Sequence, residues 1–151
     1  MSSRLGYDLS MGPPEREPVG LALARTAKVV NRAFDDALAE AGGSLPTWLV
    51  LVSLRQGRHA AQRELAEAVG VEGPTLTHHL NRMEAAGLVT RTRDPANRRV
   101  HRVELTEAGQ EAFRRLLATV TAFDRRLRRG LSREQVEDLE ELLGRLRENV
   151  A

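Results

Sequence analysis

The sequence predicts a mainly α-helical chain with one small β-hairpin. Three observations predict it. Apolar residues recur every three or four positions through most of the chain. Glycine or proline stands at nearly every break in that rhythm. Only two short runs, at 88–93 and 100–105, are rich in β-branched residues, and they flank the turn-forming cluster DPANRR.

Pro18 opens the first helix, whose stripe is Leu23, Ala27, Val30, Phe34 and Ala37 or Leu38, and Gly42-Gly43 stops it. Pro46 opens a second helix carrying Trp48, Leu49, Leu51, Val52 and Leu54, which ends at Gly57. A short third helix from Gln62 to Val69 buries Leu65, Ala66 and Val69, with Gly70 as its stop. Gly73-Pro74 then opens a fourth helix that runs to Gly87. The hairpin follows. Thr106 is an N-cap for a long fifth helix with Phe113, Leu116, Val120, Phe123 and Leu127 in one stripe up to Gly130. Ser132 and Gln135 form a capping-box pattern for a sixth helix, which carries Val136, Leu139, Leu142, Leu143 and Leu146. Two short helices joined by a tight turn are the sequence form of a helix-turn-helix, and a hairpin directly after them makes it a winged one. The expected organisation is an N-terminal arm at 1–17, a winged helix-turn-helix lobe at 45–105, and a helical dimerisation region made of 18–44 and 106–151.

With 151 residues the chain can bury a modest core. It has no cysteine, which excludes disulfides, thiolate metal sites and thiol redox chemistry, and a reducing cytoplasm fits. No apolar run approaches a membrane span, so no membrane partner is expected. Phosphate-binding loops and the common hydrolase and metalloprotease motifs are absent, so an enzyme is not expected, nor is a cofactor.

Net charge is only +2, but its distribution is uneven. From Gly73 to Val103 six arginines face Glu84 and Asp94, a net +4, whereas Ser132–Val150 is net −3. Self-repulsion on a thin basic hairpin is tolerable if the hairpin projects toward a polyanion. On the fourth helix Leu76, Leu80 and Met83 share one face, and Thr75, His78 and Arg82 share another, with Thr77 and Asn81 along its flank. Side chains of that length reach base edges in a major groove without holding the helix away. Arg98 and Arg99 at the hairpin tip suit a narrow minor groove, while Arg91, Arg93 and Arg102 suit backbone phosphates. Double-stranded DNA is therefore the expected partner.

The segment LTHHLNRMEAAGLVTRTRDPANRRVHRVELTEAG, with QRELAEAVGVEGPTL before it, resembles the recognition helix, wing and following helix of the MarR family of bacterial transcription regulators. The resemblance runs from about Gly20 to Arg147. It implies a homodimer built from helices one, five and six, a pseudo-palindromic operator and release by a small ligand, for which an aromatic or phenolic effector is the expected class. By that resemblance Thr75, Thr77, His78 and Arg82 match DNA-contacting positions, and Arg99, with Arg98 beside it, matches the wing-tip arginine. Two residues depart from the family's pattern. Asn97 stands where aspartate is common, and its amide oxygen can accept a hydrogen bond only without charge assistance. His78 stands where arginine is common, and a histidine there would either lose base affinity or make it sensitive to pH near neutrality.

The exposed apolar stripes expected on helices one, five and six independently call for a partner surface, and a second copy of the chain is the simplest one. Two other readings compete. A metal-responsive regulator would need clustered ligands, and His59, His78, His79 and His101 are too scattered for one. The other is a ligand-binding or interaction module on the same fold without DNA binding, against which salt-sensitive binding to duplex DNA would discriminate. Trp48 is the one candidate for lining an effector space, although a lone tryptophan on an apolar helix is more often core.

Overall fold

A computed structural model describes residues 16–57 and 61–151. Most of the expected arm and His59 lie outside the described residues. The element order is α1 (Val19–Glu40), α2 (Leu45–Arg55), α3 (Gln62–Val69), α4 (Gly73–Ala85), β1 (Val89–Arg93), β2 (His101–Leu105), α5 (Glu107–Leu127) and α6 (Arg133–Glu148). The mainly helical chain with one antiparallel hairpin is thus the observed architecture.

Local chemistry sets the boundaries. Ser44, not Pro46, starts α2: its Oγ accepts the Thr47 N–H at 3.3 Å, and Pro46 falls within the first turn. Ser132 and Gln135 complete the capping box at α6. Helix α4 ends in a Schellman turn. The Leu88 N–H donates to the Met83 carbonyl at 2.9 Å and Gly87 N–H to Glu84 at 2.9 Å, with Gly87 at φ +75°. That turn spends Leu88 on the helix cap, so β1 begins one residue later than the sequence pattern predicts. Val100 likewise closes the turn rather than opening β2: its N–H donates to Asn97 and its carbonyl accepts from Asp94.

The core lies between α2, α3, α4, α5 and the hairpin. Leu38, Val50, Leu51, Leu65, Leu76, Leu80, Val89, Val103 and Leu116 are all fully buried in it. Leu76, Leu80 and Met83 are the inward face of α4, as their spacing predicts. The turn that enters the hairpin is fixed to the start of α5 at two points, and a third bond caps α5. Thr106 Oγ1 donates to the Gly87 carbonyl at 2.5 Å, Thr106 N–H donates to the Leu88 carbonyl at 3.1 Å, and Thr106 Oγ1 accepts from the Gly109 N–H at 3.0 Å. Gly109 is required there, because a Cβ would stand 2.1 Å from the Leu88 carbonyl oxygen.

Outside this core the picture changes. Helix α6 has no buried residue, and Leu139, Leu142, Leu143 and Leu146 are exposed to between 36% and 52%. Val19, Leu21 and Leu23 at the start of α1 and Leu127 and Leu131 at the end of α5 are exposed as well. Among the described residues no single helix is long and apolar enough to cross a membrane.

Candidate nucleic-acid interface

Helix α4 presents Thr75, His78, Asn81 and Arg82 outward, all exposed. Thr77, expected beside them, is half-buried and already engaged. Its Oγ1 accepts from Gln62 Nε2 at 2.8 Å and donates to the Gly73 carbonyl at 3.0 Å. Thr77 therefore ties α3 to the first turn of α4, and its hydroxyl is committed within the fold. The outward face of α4 contracts to four side chains.

The five hairpin arginines divide into two groups. Strand register pairs Val89 with Leu105, Arg91 with Val103, and Arg93 with His101. Side chains alternate across a strand, so Val89 and Arg91 share the face that Val89 buries. Arg91 is accordingly only 19% exposed, and its guanidinium is held by Glu84 at 3.3 Å and by the Asn81 side-chain carbonyl. The Arg91 backbone N–H adds a third bond to the Glu84 carboxylate at 3.1 Å. The Arg91 hydrogen bond holds the Glu84 carboxyl below the usual carboxylate range. Arg91, expected beside a backbone phosphate, here joins the wing to the recognition helix. Arg102 also has a partner, Asp94 at 3.4 Å, while staying half exposed. The Ala96 N–H, and then Arg102, hold the Asp94 carboxyl below its usual range.

Arg98 and Arg99 at the tip, Arg93 on β1 and Arg82 on α4 are exposed and form no ion pair among the described residues. The tip itself is ordered by short-range bonds. Asp94 Oδ1 accepts from Ala96 N–H at 2.8 Å, and Asn97 Oδ1 accepts from Arg99 N–H at 3.2 Å. An amide oxygen at position 97 thus supports the tip without a charge. Arg99 borders the same open groove as Gly73 and Thr77, so the wing tip and the start of α4 flank one concavity.

Trp48 is core. It is 8% exposed and stacks on Phe113 at 5.6 Å, so it lines no open effector space. His78 and His79 hold adjacent helix positions with their rings tilted by 59° and 5.9 Å apart, and no group of three or more metal-ligating side chains occurs among the described residues. Sequence reasoning missed Glu84, Gln62 and Gly109. The strand alternation from Val89 is a signal that finds Arg91 and, through it, Glu84. Gln62 and Gly109 have no such signal, because their partners are distant in sequence.

The MarR family model matches residues 44–101, from the cap of α2 to the start of β2. Among solved structures, the transcriptional repressor CouR bound to a 23-mer DNA duplex is 28% identical, with a TM-score of 0.78, and the match covers 85% of this chain and 92% of that one. CouR from Rhodococcus jostii RHA1 bound to p-coumaroyl-CoA is 27% identical, with a TM-score of 0.71, covering 84% and 90%. AbsC, a MarR family transcriptional regulator from Streptomyces coelicolor, is 25% identical, with a TM-score of 0.77, covering 87% and 90%. An exposed polar helix face, an arginine-tipped wing and these matches agree: residues 44–101 match the winged helix-turn-helix domain of the MarR family, and the chain as a whole shares the fold of transcription regulators of that family.

Proposed function

We propose that the protein binds a pseudo-palindromic operator as a homodimer, represses by occluding a promoter, and is released by a small aromatic or phenolic ligand. The observation that carries the DNA-binding part is the division of the arginines. On the strands Arg91 is largely buried against Glu84 and Arg102 stays half exposed beside Asp94, and those at the tip are left for an outside anion. Thr75, His78, Asn81 and Arg82 read base edges or grip phosphates, Arg98 and Arg99 enter the minor groove, and Arg93 and Arg102 meet the backbone.

The homodimer rests on α6. A helix with four half-exposed leucines and no buried residue is stable only against a partner. A second copy, contributing the same surfaces of α1, α5 and α6, closes it by twofold symmetry. Residues 18–44 and 106–151 then form the dimerisation region and 45–105 the DNA-binding lobe. Repression and a phenolic ligand are supported by the likeness to CouR, a repressor seen with DNA and with p-coumaroyl-CoA.

Selection from random duplex DNA, together with the mass in solution, tests this reading. The expected result is an inverted repeat with half-sites about one helical turn, ~34–36 Å, apart, bound by a particle of two chains. Affinity should fall with salt at a log–log slope of about −0.9 per neutralised phosphate. A monomer, or binding indifferent to salt, overturns it. Release from the selected operator by a panel of small phenolic acids and their thioesters tests the effector, and no release by any of them removes it.

A further inference from the structure

We infer that Arg91 sets which base Asn81 can read, turning that residue into a hydrogen-bond donor with no free acceptor. The inference rests on the DNA-binding reading above and adds a specificity determinant to it. Asn81 is exposed on the wing-side flank of the recognition face, and its Oδ1 is bonded by an Arg91 terminal nitrogen. A guanidinium donates and never accepts, so the amide oxygen must face the wing. The NH2 group then faces away from Arg91.

Arg91 is itself fixed. Glu84 takes its Nε at 3.4 Å, its terminal nitrogen at 3.3 Å and its backbone N–H at 3.1 Å, and the strand register seats Arg91 opposite the buried Val103. Asn81 therefore cannot turn its amide over without leaving a guanidinium facing an NH2 group. An asparagine with a free amide pairs with adenine through both groups at once, accepting from N6 and donating to N7. Here the carbonyl is committed, and its second lone pair lies beside a positive charge that disfavours another donor. Two N–H bonds remain, and they suit guanine, whose N7 and O6 both accept. Arg91 is a positioning residue: it acts on the base only through Asn81.

The test compares the bases selected from a random duplex library by the full-length wild type, Asn81→Ala and Arg91→Met, with helical circular dichroism to confirm folding. The position that loses its preference in N81A belongs to Asn81. There the wild type should choose guanine over adenine by roughly fivefold or more. R91M should move that same position toward adenine and leave the bases under Arg82 unchanged, which a merely loosened wing would not do. Adenine in the wild type, no position altered by N81A, or an unchanged preference in folded R91M overturns the inference. Should R91M fail to fold, the wild type and N81A decide it alone. A wild type that selects no sequence overturns the DNA-binding reading itself, which the other outcomes leave standing.

Discussion

Arg91 and Arg102 on the strands of the hairpin sit against Glu84 and Asp94, whereas Arg98 and Arg99 at its tip meet no carboxylate among the described residues. The residue type is the same, yet the two pairs do different work. On the strands, Arg91 is used inside the protein to join the wing to α4, and Arg102 braces the hairpin through Asp94 while staying half exposed. At the tip the positive charge is left uncompensated, and it is the tip that self-repulsion would penalise in isolation. A count of arginines in the hairpin therefore overstates its capacity for phosphate.

Breaking the two ends separately should give different signatures. The largest effect is expected at the tip. Arg98→Ala with Arg99→Ala should weaken operator binding by about 2–5 kcal/mol, with the thermal midpoint unchanged and a shallower salt slope. Titration of operator DNA at several salt concentrations measures both quantities, and unchanged affinity would remove the minor-groove role. At the base the expected loss is in stability first. Gly109→Ala forces a Cβ onto the Leu88 carbonyl and should destabilise the fold by about 1–3 kcal/mol in urea denaturation. An undisturbed midpoint would show that the joint between wing and α5 can shift.

Acid sharpens the comparison further. Glu84 and Asp94 have folded pKa values lowered by Arg91 and by the Ala96 N–H respectively. In the unfolded chain both bind protons at higher pH. Their contribution is therefore complete above the ordinary carboxylate range and disappears as pH falls through the lowered folded values. Thermal denaturation against pH should show a small loss in that acidic window, reduced in Glu84→Gln, and an identical acid response would discount the ion pair. The smallest change is expected from Asn97→Ala. It removes one acceptor from the tip turn and should weaken operator binding by less than about 1 kcal/mol. A loss as large as that of the double arginine variant would mean that tip order, not tip charge, dominates.

Much of this architecture was legible in the sequence. Glycine, proline and capping residues placed the helices and two β-branched runs placed the strands, because caps and turns are decided by neighbours in the chain. The inward face of α4 followed from the spacing of Leu76, Leu80 and Met83. What stayed hidden depends on pairing across the fold. Thr77 looks like a base reader until Gln62 reaches it from α3. The partners of Arg91 on α4 appear only once strand register turns it toward Glu84. Trp48 shows the limit in the other direction: its stacking on Phe113 needs α5 to lie over α2, which periodicity alone does not specify.

The joint at Gly109 has a mechanical consequence. Helix α5 is 21 residues, about 31 Å from end to end, and its first turn is locked to the wing base by Thr106 and by a contact with no room to slip. It works as a rigid lever with the hairpin welded to its short end. Tilting it by about 10° about that joint displaces the far end by about 5 Å. Run backwards, the same gearing turns a modest shift at the far end into a change in the wing's angle, with no hinge needed between them.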